Sequence, residues 1–126
     1  MTTNHTPGPW KKARNSSFWE VVTPFQGQLI DEANEFSPSV AYAWGCTEEV
    51  AEANAGLIAA APELLEACKT FSEWLRREDE GFVEAGNKRY TPEGDAAWRD
   101  WYSENLRICA LAQTQARAAI AKANGA

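Results

Sequence analysis

The sequence predicts an α+β domain: a small N-terminal antiparallel β-sheet packed on a long, kinked antiparallel helical hairpin. Three observations lead there. Residues 1–46 hold four of the six prolines together with short aromatic and β-branched clusters, the texture of turns and strands. From Thr47 onward the composition turns to alanine, leucine and glutamate, with apolar residues at helical spacing. Two such arms, about 34 and about 33 residues long and roughly 50 Å each if straight, flank a loop of about ten residues, which favours an antiparallel pair. At 126 residues the chain is expected to be one domain, a turn-rich β region over 1–46 and a helical hairpin over 47–126.

The first strand candidate runs from Ser17 to Thr23, and Phe25 to Gln28 supplies a turn with the glycine a reversal favours. A second strand is expected near Gln28 to Glu32. A third follows at Ser39 to Trp44, where alternation is partial and Gly45 closes the segment. So small a meander needs a cover on one face, and the helices are the available one.

Thr47 is placed to cap the first helix, with Glu48 and Glu49 against the positive end of its dipole. Val50, Leu57, Ile58, Ala61, Leu64, Leu65, Cys68, Phe71 and Leu75 recur at helical spacing and read as one buried face. Pro62 lacks the amide donor and clashes with the preceding turn, so the helix is expected to break near Ala60 and restart at Pro62. Glu73 is spaced to pair with Arg77 four residues on. Gly81 to Tyr90 reads as a loop. Thr91, Pro92 and Glu93 then form an N-cap, a proline in the first turn and an acid beside it, opening a helix that Asn124 and Gly125 end. Its main stripe is Trp98, Trp101, Tyr102, Cys109, Ala112, Ala116 and Ile120, with Leu106 beside it. The small side chains of Ala116 to Ala123 permit close helix approach, expected against the first turns after Thr47.

Composition narrows the function classes. A formal charge of −6 weighs against a nucleic-acid binder that neutralises phosphates, although Lys11, Lys12 and Arg14 cluster near the start. No apolar run approaches the roughly 18 residues of a membrane span, and no signal-peptide segment opens the chain, so a cytoplasmic protein is expected. Cys46, Cys68 and Cys109 are odd in number and far apart, which suits neither a disulfide framework nor a zinc cluster; Cys68 and Cys109 read as packing residues. His5 is the only histidine and lies in a Pro-Gly segment without partners for metal binding or acid–base work. With no phosphate-cradling loop and no nucleophile elbow, no catalytic residue, metal or cofactor is assigned, and an enzyme is not expected. Acidic clusters at Asp31, Glu32 and Glu35, at Glu48, Glu49 and Glu52, and at Glu78 to Glu80 read as solvated faces or as a phosphate-like surface.

His5-Thr-Pro-Gly-Pro-Trp10, the run Ala53-Asn-Ala-Gly-Leu-Ile-Ala-Ala-Ala-Pro-Glu-Leu-Leu-Glu-Ala67 and the closing Ala116-Arg-Ala-Ala-Ile-Ala-Lys-Ala123 follow one another in an order that resembles a widespread set of small phage-encoded proteins. Gly56 departs from the long polar residue, usually arginine, associated with its position. The resemblance implies a phage or prophage accessory protein acting in the bacterial host cytoplasm. It carries no catalytic role. Small non-structural phage proteins often act by binding; some block host defence complexes such as CRISPR effectors, and others trap nucleotide signals.

Six tryptophans are many for this length, and tryptophan rarely hides completely in a small core. Arg99, Trp101 and Tyr102, with Lys88, Arg89 and Tyr90 of the loop, are therefore the candidate partner-binding residues, suited to anchor a host protein or to stack on a base. The expected function is binding and inhibition of a host protein, with counter-defence as its sharp form. An oligomeric nucleotide sponge and a structural or assembly protein are the alternatives. The pattern leaves open whether the hairpin closes within one chain or across a homodimer.

Overall fold

A computed structural model describes residues 5–15, 17–23, 39–83 and 90–125. Strands β1 (Lys11–Arg14), β2 (Trp19–Val22) and β3 (Ser39–Ala43) precede helices α1 (Glu48–Ala59), α2 (Ala61–Glu80) and α3 (Pro92–Ala123). The sheet is antiparallel in the order β1-β2-β3, and α2 and α3 run antiparallel. The α+β class follows. The described residues form two compact units, Met1–Leu65 with Arg117–Ala126, and Glu66–Ala116.

In the first unit, β1 and β2 are joined by a turn that Asn15 builds. Its Oδ1 accepts from the amides of Ser17 and Phe18 at 2.8 and 3.0 Å, and its own amide donates to the Phe18 carbonyl. Asparagine closes such turns through its side chain. The meander begins one strand earlier than the sequence suggests, because Lys11 to Arg14 is a strand rather than a loose basic patch. Ser17 to Thr23 contains β2, and Ser39 to Trp44 contains β3. The expected strand at Gln28 to Glu32 lies outside the described residues.

Register and alternation assign the faces. Lys12 pairs with Val21, and Arg14 with Trp19 and through it Ala43, so these residues share the face toward α1. Val21, Ala43, Ala55 and Ala59 form the core there, with Trp10, Trp19, Val40, Ala41 and Ile58 packed on it. Lys12 bridges to Glu52 at 3.0 Å and Arg14 to Glu48 at 2.9 Å, bringing charges of the early basic cluster onto α1.

The capping signals hold. Thr47 Oγ1 accepts from the Val50 amide, Ala60 interrupts the helix between α1 and α2, and Thr91 Oγ1 accepts from the Gly94 amide at the start of α3. Two close approaches explain the small residues of the motifs. A Cβ on Gly8 would lie 2.6 Å from Pro62 Cβ, and one on Gly56 would lie 3.0 Å from the Ala123 carbonyl oxygen. Over Pro62 the opening loop is held by the Trp10 indole, which donates to the Thr6 and Pro7 carbonyls, and by Thr23 Oγ1, which donates to Pro7 and Pro9. The Gly8–Pro9 peptide is cis. At the other end Lys122 bridges to Glu63 at 2.7 Å.

In the second unit the seam between α2 and α3 is polar or small apart from Ile108. Arg77 donates to Asn105 Oδ1 and to the Trp101 carbonyl, while Asn105 Nδ2 donates to Glu78 at 2.9 Å. Asn105, Ile108, Ala112 and Ala67 are buried. The long apolar stripe is not the buried face that its spacing suggests. Val50, Leu57, Leu65, Cys68, Phe71 and Leu75 are exposed, and Ile58, Ala61 and Leu64 are half-buried. These helices instead bury alanine and glycine, Ala55, Gly56 and Ala59 in α1, Ala60 at its C-cap and Ala67 in α2, because backbones approach closely only where side chains are short. In α3, Tyr102, Leu106 and Ile120 are likewise exposed. Glu73 pairs with Arg76 rather than Arg77, since Arg77 is turned into the seam.

Candidate functional site

The residues singled out near the hairpin turn fall into different environments. Trp101 is half-buried, its ring 6.1 Å from Phe82 and 6.0 Å from the Arg77 guanidinium, so it packs rather than projects. Tyr102 stacks on Trp98 at 5.1 Å with planes 9° apart and keeps 47% of its surface exposed. Arg99 is exposed one turn away, and Tyr90 is 93% exposed. Lys88 and Arg89 lie outside the described residues. Tyr102 and Arg99 thus share an outward face of α3, by their three-residue spacing, while Trp101 is committed inward.

A second aromatic group sits on the sheet. Phe18 meets Tyr42 edge to face at 4.8 Å and Trp44 at 6.3 Å, and Tyr42 and Trp44 are 54% and 74% exposed. Tyr42 pairs with Glu20, so it lies on the sheet face turned away from α1, and Trp44 follows two residues on. The signal was present in the partial alternation of Ser39 to Trp44. Sequence spacing nevertheless marks Phe18 and Tyr42 only as strand residues, since spacing within one strand does not show which face a helix will cover.

Beside this group lies an open cleft of about 250 Å³ lined by Arg14, Phe18, Trp19, Trp44, Thr47 and Glu48, among others. Arg14 supplies its positive charge but is already engaged, with Nε on Glu48 and Nη1 on the Asn15 carbonyl, and its guanidinium lies 5.9 Å from the Trp19 ring. A larger groove of about 530 Å³ runs between α1 and the end of α3, lined by Lys12, Glu49, Glu52, Ala53, Gly56, Leu57 and residues 123–125. The Ala116 to Ala123 segment therefore meets α1 at Gly56, beside Glu49 and Glu52.

Among the described residues, shifted titration marks only helix-surface pairs. A hydrogen bond from Arg76 holds the Glu73 carboxyl below its ordinary value, and one from Arg107 does the same for Glu104. Glu48 and Glu52 are bound to strand cations, Glu78 to Asn105 and Glu80 to Arg76. His5 is exposed, its Nδ1 3.3 Å from the Thr6 carbonyl oxygen. Cys46 and Cys68 are exposed and Cys109 is half-buried, so Cys68 is not the core residue its spacing suggests. Among the described residues, no group of three or more His, Cys, Asp or Glu side chains is placed to hold a metal ion. Among them, too, no helix is long and apolar enough to cross a membrane.

Fold and surface together define a small α+β protein whose distinctive groups are exposed aromatic rings. The chain belongs to the Salmonella phage P22 protein Y8K6 family, whose model matches residues 1–126. This is a phage-encoded family of unknown function. No curated protein and no solved structure matches the chain.

Proposed function

We propose that the chain is a non-catalytic phage accessory protein that binds a host protein and alters its activity, with inhibition of a host defence complex as the sharp form. The observation that carries this reading is the Phe18–Tyr42–Trp44 group. Tryptophan and tyrosine dominate binding energy at protein interfaces when they meet a pocket and exclude water, and here the exposed Tyr42 and Trp44 rings each pack against Phe18. Rings already packed against each other lose little freedom on docking. Arg99 and Tyr102 on α3 form the second candidate surface.

A nucleotide sponge is the competing reading, since Arg14, Phe18, Trp19 and Trp44 line one cleft. The charge arrangement favours a protein instead. The Glu48 carboxylate accepts from Arg14 Nε at 2.9 Å, so a phosphate entering there would meet an acid and displace an existing ion pair. The test is retention from a bacterial host lysate on the immobilised full-length chain, comparing wild type with Y42A/W44A and with R99A/Y102A, and identifying bound proteins and nucleotides by mass spectrometry. Loss of one host protein in the Y42A/W44A variant alone supports the sheet surface. Loss only in R99A/Y102A moves the site to the hairpin. Retention of a nucleotide and no protein overturns the reading.

A further inference from the structure

The hairpin unit places its side chains in an unusual order. Its seam carries Ala67, Arg77, Asn105 and Ala112, and Ile108 is the one large apolar side chain buried in that unit among the described residues. The larger apolar residues lie one position further along each helix: Cys68 after Ala67, Leu106 after Asn105, Cys109 after Ile108. Phe71 and Leu75 continue the same line on α2, and Tyr102 on α3. A step of one residue rotates a right-handed helix by about 100°. In two antiparallel helices facing each other, that rotation carries both sets to the same side of the hairpin. Cys68, Phe71 and Leu75 of α2 and Tyr102, Leu106 and Cys109 of α3 therefore form one apolar face spanning both helices.

We propose that this face is a homodimer interface, on which a second copy of the chain packs its own α2–α3 face to complete a four-helix bundle. Phe71, Leu75, Tyr102 and Leu106 are 50%, 42%, 47% and 55% exposed. With Cys68 they present ~400 Å² of largely apolar surface, about half of the ~800 Å² per partner that a stable interface buries, and the surrounding rim supplies the rest. That division, an apolar centre and a polar border, is the anatomy of an interface. The aromatic rings are pre-set, Phe71 stacked on Trp74 at 5.7 Å and Tyr102 on Trp98.

Charge selects a second copy over a charged partner. The next positions outward carry Ser72 and Arg76 on α2 and Ser103 and Arg107 on α3. Arg76 is bound by Glu73 and Glu80, and Arg107 by Glu104, all on its own helix. These two rim arginines are thus neutralised before docking, which lowers the like-charge repulsion that a two-fold arrangement would otherwise create. A single layer of two helices also leaves its outer face without a partner layer, and a second hairpin is the element that supplies one.

The experiment is sedimentation equilibrium of the full-length chain on the order of 1 to 100 µM, where an interface of this size is read. Wild type is expected at twice the monomer mass. L75E/L106E is expected to weaken the dimer ~100-fold or more, since it places charge at the centre of the patch. Leu111→Glu makes the same change on the other flank of α3 and is expected to leave the dimer intact. A wild-type monomer throughout the range overturns the proposal, as does a dimer that survives L75E/L106E. Should that variant lose its helix signal in circular dichroism, alkylation of Cys68 in the wild type decides. A rate that falls as concentration rises supports the interface, and a constant rate overturns it. The result is independent of capture at the sheet, because Phe18, Tyr42 and Trp44 lie outside this face, whereas Tyr102 belongs to it, so R99A/Y102A is sedimented as well to tell loss of the dimer from loss of a host partner.

Discussion

Replacing Gly8 by alanine tests whether the opening motif acts as a brace on the helix break. The new methyl carbon would sit 2.6 Å from Pro62 Cβ and 2.9 Å from Pro62 Cγ. Ordinary carbon contacts lie near 3.5–4.0 Å, so the loop or the helix start must retreat by ~1 Å. Neither yields easily. Pro62 is a closed ring in the first turn of α2, and the loop is tied on its other side by Trp10 and Thr23 through four hydrogen bonds of 3.1–3.4 Å. Overpacking of this kind costs about 1–3 kcal/mol. For a chain of this size each kcal/mol moves the melting temperature by about 4 °C, so G8A is expected to melt roughly 4–12 °C lower. The assay is thermal unfolding by circular dichroism on four proteins: wild type, G8A, P62G and the double variant. Pro62→Gly removes both atoms that the methyl would strike, so in that background G8A is expected to cost almost nothing. An unchanged melting temperature for G8A would refute the reasoning. So would an equal loss in both backgrounds, which would trace the effect to the loop's own conformation.

Two further outcomes bear on the hairpin. Asn105→Ala leaves the Arg77 and Glu78 groups without their buried partner and is expected to destabilise by about 1–3 kcal/mol, read as a lower urea midpoint; an unchanged midpoint would mean that the seam is not held by this network. Glu73 and Glu104 bind protons more weakly when folded than at the ordinary value of 4.5, so their pairs with Arg76 and Arg107 add stability above that pH and lose it as pH falls through the lowered folded values. Both pairs lie on solvent-facing helix surface, so the effect is small and shrinks with salt. Helix signal followed from about pH 6 to about pH 3 is expected to fall less in E73Q/E104Q than in wild type at low salt, and equal profiles would remove these pairs from the account.

Local signals in the sequence were reliable because their physics is local. Thr47 and Thr91 cap helices through their own hydroxyls, and Pro62 marks a break because a missing amide donor acts within one turn. The strand at Lys11 to Arg14 was hidden by its charges, which look solvated until Glu52 and Glu48 are brought across from α1, some 34 to 40 residues away. The buried face of the helices failed for a related reason. Periodicity finds the most apolar stripe, whereas burial in this chain follows the closeness of backbones, which selects alanine and glycine. Leu57 at 56% exposed beside Ala55 at 0% shows the two rules separating within one helix. The candidate site was legible only in kind. Aromatic excess pointed to rings at the surface, yet it did not distinguish Trp101, held by Phe82 and Arg77, from Trp44, which projects.

The same geometry decides what the family motifs report. Gly8 rests on Pro62 and Gly56 on Ala123, so the three segments that carry the resemblance touch one another through their smallest or most rigid residues. Where a neighbouring carbonyl oxygen stands 3.0 Å from the Cβ position, an arginine at residue 56 would require the end of α3 to move outward. Glycine there matches the close approach of the Ala123 carbonyl. Motifs that brace a fold predict the fold in any chain that carries them, and they leave its surface free to differ. Under the proposed function, the side chains to vary are those outside the motifs. Phe18, Tyr42 and Trp44 stand on the sheet, and Phe71, Leu75 and Leu106 stand on the hairpin. Changing the first set should alter what the protein captures, and changing the second should alter whether it is one chain or two.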